Sequence, residues 1–279
     1  MSGRSTYHPV GRWATPACVG AASLVAFVWL AAETAEGDRF ALDGHLLDAV
    51  ARVENTIFEG AMVLFAFFGA GAGLLVLLSA LVAGLLRRGR RSDALFVVLS
   101  LVMAQVVGRL VKAAIDEPRP GRTDHELVHG LTDLRHVGLA VLAGVVLIAC
   151  TTPRWRRGAL AFAATYAALF VAFELLLRAL IGPQEAVAFP SGHATSSMTV
   201  VATGIVLAWP SPRRWAWLAL GVAFAFGVGL SRVAFGVHRP SDVLGGWLLA
   251  TAIVSVAATC YFRVPSLYRA LRAWMPPRS

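Results

Sequence analysis

The chain has 279 residues, of which 57 % are apolar and only 15 % charged, with a mean hydropathy of +0.68. A soluble domain carries about a quarter charged residues and a disordered chain is polar, so both classes are excluded. The net charge of +9 comes from 24 arginines and one lysine, and Cys18, Cys150 and Cys260 each sit inside a long apolar run, which excludes a disulfide scaffold. What remains is one polytopic membrane domain over 1–279, an all-α helix bundle.

Eight spans are predicted in chain order, each near the ~20 residues that cross a hydrocarbon core. They cover 15–32, 59–86, 93–112, 136–152, 158–180, 194–209, 215–231 and 241–262. No small-x-small cleavage site follows Leu30, so the first span is expected to be retained. Between the first two, Leu46, Val50, Val53 and Ile57 recur at helical spacing, which predicts an amphipathic helix over 44–58 with Asp43 capping its start. A second such helix is predicted over 124–136. There Leu127, Leu131 and Leu134 share one face and His125, His129, Asp133 and His136 the other. Both suit the membrane interface. In the fifth span, Glu174 and Arg178 are four apart and are expected to pair.

The arginines set the orientation. With the N-terminus inside, the inner segments carry Arg4 and Arg12, then Arg87, Arg88, Arg90 and Arg91, then Arg154, Arg156 and Arg157, then Arg213 and Arg214, and finally Arg263, Arg269, Arg272 and Arg278. Asp93 is the only acid at an inner end, whereas Glu33, Glu36, Asp43, Asp116, Glu117 and Glu185 fall outside. Cytoplasmic loops are rich in Lys and Arg. Both termini are therefore expected to be cytoplasmic, and the basic residues are a topology signal rather than a nucleic-acid footprint.

Three strings break that pattern on the outer side. The first runs from Lys112 to Arg119 and Pro120, the second is Pro190-Ser191-Gly192-His193, and the third runs from Ser231 and Arg232 to His238 and Asp242. Ionisable groups this close to hydrocarbon are costly and mark function. Arg presents a planar fork to phosphate oxygens and Lys a point charge, so Lys112, Arg119 and Arg232 suit a phosphoryl group. Ser191 and Gly192 precede a span, where backbone N–H groups can point at an anion. Asp242 lies four residues after His238, which on a helical turn sets a carboxylate beside the imidazole. That arrangement fixes the tautomer and leaves the other ring nitrogen to attack phosphorus. His193 is the candidate acid for the leaving oxygen. The cations and backbone donors can hold the developing charge, so neither a metal nor a cofactor is expected. Gln105, Arg109, Lys112 and Asp116 form a stripe along the third span, open between lining the site and pairing with other helices. Arg239 lies inside the third string, at a position that the resemblance given below leaves variable, and is left out of the site.

In order and on one side of a membrane, these strings resemble the three signature motifs of the type 2 phosphatidic acid phosphatase family. Those motifs read Lys-x6-Arg-Pro, Pro-Ser-Gly-His and Ser-Arg-x5-His-x3-Asp. The resemblance spans the motif-bearing part, 93–262. It implies a phosphohistidine on His238, Asp242 as its orienter and His193 as the acid. It also implies phosphate binding by Lys112, Arg119, Ser191, Gly192 and Arg232. The family core has six spans, so two are extra here, between the first and second motifs. The implied activity is hydrolysis of a lipid phosphate at the outer face of a bacterial plasma membrane, with a polyprenyl diphosphate as the leading substrate. Phosphatidic acid and phosphatidylglycerol phosphate follow.

Three other readings compete. A lipid phosphotransferase would use the same phosphohistidine. His125-Glu126-Leu-Val-His129 is a literal H-E-x-x-H, the zinc metalloprotease signature, but the longer form fails at Thr132 and Arg135. A transporter should show broken helices in related repeats, and the sequence has none.

Overall fold

The computed structural model describes residues 11–37, 40–53, 56–69, 71–120, 175–176, 179–180 and 187–274. Their architecture is helical: α1 (Gly11–Ala35), α2 (Ala41–Ala51), α3 (Thr56–Gly69), α4 (Gly71–Arg87), α5 (Arg91–Ile115), α6 (Gly192–Ala208), α7 (Arg214–Ala234) and α8 (Pro240–Trp274). The predicted spans at 136–152 and 158–180, the 124–136 helix with its H-E-x-x-H string, and the Glu174–Arg178 pair lie wholly or mostly outside the described residues.

Among the described residues, four helices are long and apolar enough to cross a bilayer, over Ala14–Ala35, Arg91–Ile115, Arg214–Ala234 and Pro240–Arg263. Their outward faces are apolar. Val25, Val28 and Trp29 on α1, Leu95, Leu99 and Met103 on α5, and Trp215, Leu220 and Phe226 on α7 are all exposed. The inward faces are small or polar instead, with Ser100 and Ala104 on α5, Ala194, Ser197, Thr199 and Thr203 on α6, and Ser231 on α7. Membrane helices pack through small residues because lipid tails offer no hydrophobic drive between helices. The thin side chains let α8 sit at the centre, against α1, α6 and α5, with α7 packed on α6 and α3.

Two elements differ from expectation. The apolar run 59–86 is two helices, α3 and α4, parted after Gly69. Three glycines between 69 and 73 leave the helix without its usual propensity there. The 44–58 helix is also divided: α2 stops at Ala51 and α3 begins at Thr56. Asp43 does not cap α2, whose N-cap is Phe40. Its carboxylate instead accepts the Ser241 backbone N–H at 2.9 Å and the Ser241 hydroxyl at 2.6 Å, so it caps α8. A carboxylate facing a helix N-terminus is stabilising by about 1 kcal/mol.

Helix directions put the ends of α1, α5 and α7 and the starts of α6 and α8 at one end of the bundle. Arg87, Arg91, Arg213, Arg214 and Arg263 lie at the opposite end. There Asp93 binds Arg90 and the Tyr261 hydroxyl, and Arg214 stacks 5.9 Å from the rings of Trp209 and Trp215.

Candidate active site

The three strings meet at the end where α5 and α7 finish and α6 and α8 begin. α5 stops because Asp116 adopts the left-handed conformation, φ 51°, with its N–H on the Lys112 carbonyl, and Pro118 then bars a further turn. The chain turns so that Pro118 pairs antiparallel with Val187, and Ala188 N–H donates to the Glu117 carbonyl at 2.7 Å.

Residues Val187 to Ser191 are non-helical yet fully buried. Each buried backbone group without a partner would cost several kcal/mol, about 2 or more, and this segment finds partners from both flanking motifs. Lys112 Nζ donates to the carbonyls of Val187 at 2.7 Å and Ala188 at 3.1 Å. Ser191 N–H donates to the Asp242 carbonyl at 2.9 Å. Phe189 anchors the stretch by stacking on Phe27 of α1, with ring centroids 5.9 Å apart. On α8, Gly246 allows the approach, since a Cβ there would lie 2.7 Å from the Ser191 carbonyl oxygen.

The third string is shaped by its own turn. Gly236, at φ 61°, reverses the chain after α7, and the Arg232 carbonyl accepts both the Val237 and the His238 N–H. This tether brings Arg232 and His238 to one side. His238 Nδ1 lies 3.5 Å from Asp242 Oδ2, while that same oxygen accepts the Arg239 N–H at 2.7 Å. The carboxylate thus faces the imidazole, as the four-residue spacing implies, but its short hydrogen bond goes to the backbone.

His193 opens the first turn of α6, within reach of the charges of Arg232, Arg119, Lys112 and the His238 ring. Asp242 in turn feels Arg239, Lys112 and Arg119. All eight residues singled out from the sequence are therefore in one cluster. Four of them, Ser191, Arg232, His238 and Asp242, are almost fully buried. Ser191 Oγ, Arg232 Nε, His238 Nδ1 and Asp242 Oδ1 have no hydrogen-bond partner among the described residues. Buried polar atoms are nearly always paired, so this concentration marks a place built for an outside group. An added Cβ at Gly192 would meet no atom of the described residues within 4 Å, so these residues leave the space beside the α6 N-terminus open.

One expectation changes. The Ser191 N–H is occupied by Asp242, so it joins the second motif to the third and is not directed at an anion. What Ser191 offers is its hydroxyl. The helix-end amides lacking intrahelical partners are those of Gly192 and its successors. The stripe on α5 divides: Lys112 enters the cluster, whereas Gln105 binds the Ser196 hydroxyl of α6 at 2.6 Å.

Two residues outside the expected set belong to the site's frame. Arg239 Nη1 donates to Glu117 Oε1 at 2.6 Å and to the Pro118 carbonyl at 3.3 Å, joining the first and third strings. The available signal was a fourth cation and an odd acid within cationic strings. Their pairing across 122 positions has no local signature.

Burial pushes the His238 imidazole well below the usual histidine pKa, and Lys112, Arg232 and Arg119 push the same way, against a hydrogen bond to the Ala188 backbone. The neutral ring has the free lone pair. The acid limb of kcat/KM is thus expected below the ordinary histidine value of about 6.5, with activity holding as pH falls through 6. A pH profile in mixed micelles measures it. An acid limb at or above the ordinary value would mean that His238 is not held neutral.

A family model described as the PAP2 superfamily matches residues 93–265, more than half of the chain. The undecaprenyl-diphosphatase of Sulfolobus acidocaldarius is 45 % identical over 65 residues, 23 % of this chain and 29 % of that one. Phosphatidylglycerophosphatase B of Escherichia coli is 37 % identical over 70 residues, 25 % of this chain and 27 % of that one. The match thus spans less than a third of either curated relative. The crystal structure of a transmembrane PAP2-type phosphatidylglycerolphosphate phosphatase from Bacillus subtilis shares the fold. Its TM-score is 0.55 and its identity 18 %, over 92 % of this chain and 98 % of that one.

Proposed function

This chain belongs to the PAP2 superfamily, and from that premise we propose that it is a metal-independent lipid phosphatase working through a phosphohistidine on His238. The observation that carries the reading is the cluster of buried polar atoms on Ser191, Arg232, His238 and Asp242 that lack a partner among the described residues, with Lys112, Arg119 and His193 around it.

In the first step the free lone pair of His238 attacks the terminal phosphorus, and the bond from that phosphorus to its leaving oxygen breaks, the bridging oxygen in a diphosphate and the lipid oxygen in a monoester. Burial and the surrounding cations push the His193 imidazole well below the usual histidine pKa, so it takes up a proton when the negative charge of the bound phosphoryl group faces it, and it gives that proton to the leaving oxygen. The imidazole becomes cationic, and Asp242 stabilises it. Lys112, Arg119, Arg232, the Ser191 hydroxyl and the amides from Gly192 onward hold the charge on the phosphoryl oxygens. In the second step water attacks phosphorus and passes a proton to His193, and the bond to His238 breaks. Inorganic phosphate leaves and both histidines return to their starting state.

A polyprenyl diphosphate is the favoured substrate, supported by the name of the Sulfolobus relative. Phosphatidylglycerol phosphate, supported by the Escherichia coli relative, and phosphatidic acid follow. The second reading, a lipid phosphotransferase, replaces the water with a lipid hydroxyl. The test is phosphate release by the purified chain from a panel of these lipids, with and without chelator and with and without lipid acceptors. Chelator-resistant release of phosphate supports the proposal. Loss of activity in chelator restored by zinc would instead favour the H-E-x-x-H string, and phosphate found mainly on the acceptor would favour the transferase.

The site is proposed to face the outside of a plasma membrane, because the arginine-rich helix ends lie at the opposite end of the bundle. In a background with the three native cysteines replaced, Glu36→Cys is expected to react with an impermeant thiol reagent in intact cells, and Arg88→Cys only after lysis. The reverse pattern would move the site to the cytoplasmic face.

A further inference from the structure

We propose that Arg239 and Glu117 form a positioning pair that fixes the gap between the nucleophilic histidine and the phosphate cradle, a role that rests on the reading of His238 above. Arg239 follows His238 directly, and Glu117 stands two residues before Arg119. The guanidinium holds Glu117 at 2.6 Å and the Pro118 carbonyl at 3.3 Å, while the Arg239 backbone N–H holds the Asp242 carboxylate at 2.7 Å. One residue thus grips the first string with its side chain and the orienting aspartate with its backbone. The side chains of both partners are largely shielded, 10 % exposed for Arg239 and 15 % for Glu117.

Charge gives a second, separate reason for the pair. Glu117 is a carboxylate beside a site that gathers Lys112, Arg119 and Arg232. Left alone there, it would repel a phosphate and draw a cation out of the cradle. Arg239 cancels it and leaves the other cations to the substrate. A buried ion pair is a poor source of stability compared with apolar packing, so stability alone does not explain this one. What it supplies is a fixed spacing and a corrected charge.

The two contributions separate in kinetics. The full chain is purified in mixed micelles, and kcat, KM and the vanadate Ki are measured per folded enzyme for Arg239→Gln, Arg239→Lys, Glu117→Gln and the Arg239→Gln/Glu117→Gln double variant. His238→Ala runs alongside. Arg239→Gln is expected to lower kcat by about 100-fold, the size of a small misplacement at a reacting centre, and to weaken vanadate by about tenfold. Adding Glu117→Gln should recover about tenfold of the vanadate affinity, the coupling usual for neighbours that share a contact. Arg239→Lys keeps the charge but not the two-pronged grip. It should therefore bind vanadate nearly as the parent does while still losing kcat. The proposal is overturned if the double variant is no better than Arg239→Gln. It is equally overturned if the substitutions lower only the yield of folded protein and leave kcat, KM and Ki unchanged. Full turnover by His238→Ala would bring down the nucleophile assignment itself, whatever the pair does.

Discussion

His238→Ala is expected to lower turnover by on the order of 10⁵-fold or more, the scale seen when an enzyme loses its covalent nucleophile. The imidazole sits at the centre of the cluster, buried, with Nδ1 toward Asp242 and the cations of Lys112, Arg232 and Arg119 around it. No other described side chain in the cluster has a comparable lone pair except His193, which stands at the α6 N-terminus. Removing the ring leaves the cations able to bind a phosphate but with nothing to receive the phosphoryl group. Phosphate release in micelles gives the number, and vanadate affinity checks that the cradle survives. A loss of less than tenfold with vanadate binding intact would exclude His238 as nucleophile.

Asp242→Asn is expected to cost about 10⁴-fold in kcat, the loss found when the aspartate orienting a catalytic histidine in a serine protease becomes asparagine. The residue has two tasks. Its backbone carbonyl holds Ser191 N–H, and its carboxylate holds Arg239 N–H while facing His238. Substitution spares the first and disturbs the second. The stability at stake is that of one capping carboxylate, about 1 kcal/mol, which is too little to account for such a kinetic loss through unfolding. Thermal unfolding and kcat measured on one preparation separate the two effects. A kcat within tenfold of the parent would remove Asp242 from the role of orienter.

The membrane bundle and the three strings were legible in the sequence because both are written in short range. A span needs only apolar length, and each string holds its chemical groups within about a dozen residues. Their convergence followed from counting crossings, and the bundle brings all three to one end. What local pattern did not carry were contacts made at a distance. Asp43 reads as the cap of its own helix and caps α8 instead. The Ser191 N–H reads as an anion donor and is taken by Asp242. Arg239 reads as a variable position and finds Glu117. The break between α3 and α4 had a local signal, the glycines from Gly69 to Gly73, which the continuous apolar run masked.

Trapping a phosphoenzyme tests whether phosphorus passes through His238. The purified chain is mixed with a lipid phosphate, quenched within milliseconds in alkali, where phosphohistidine survives, and digested for mass spectrometry. One phosphoryl group is expected, on His238, formed as fast as the lipid product is released and absent from His238→Ala. Turnover with no phosphoenzyme at any time, or a phosphoryl group on another residue with His238 unmodified, would contradict that route.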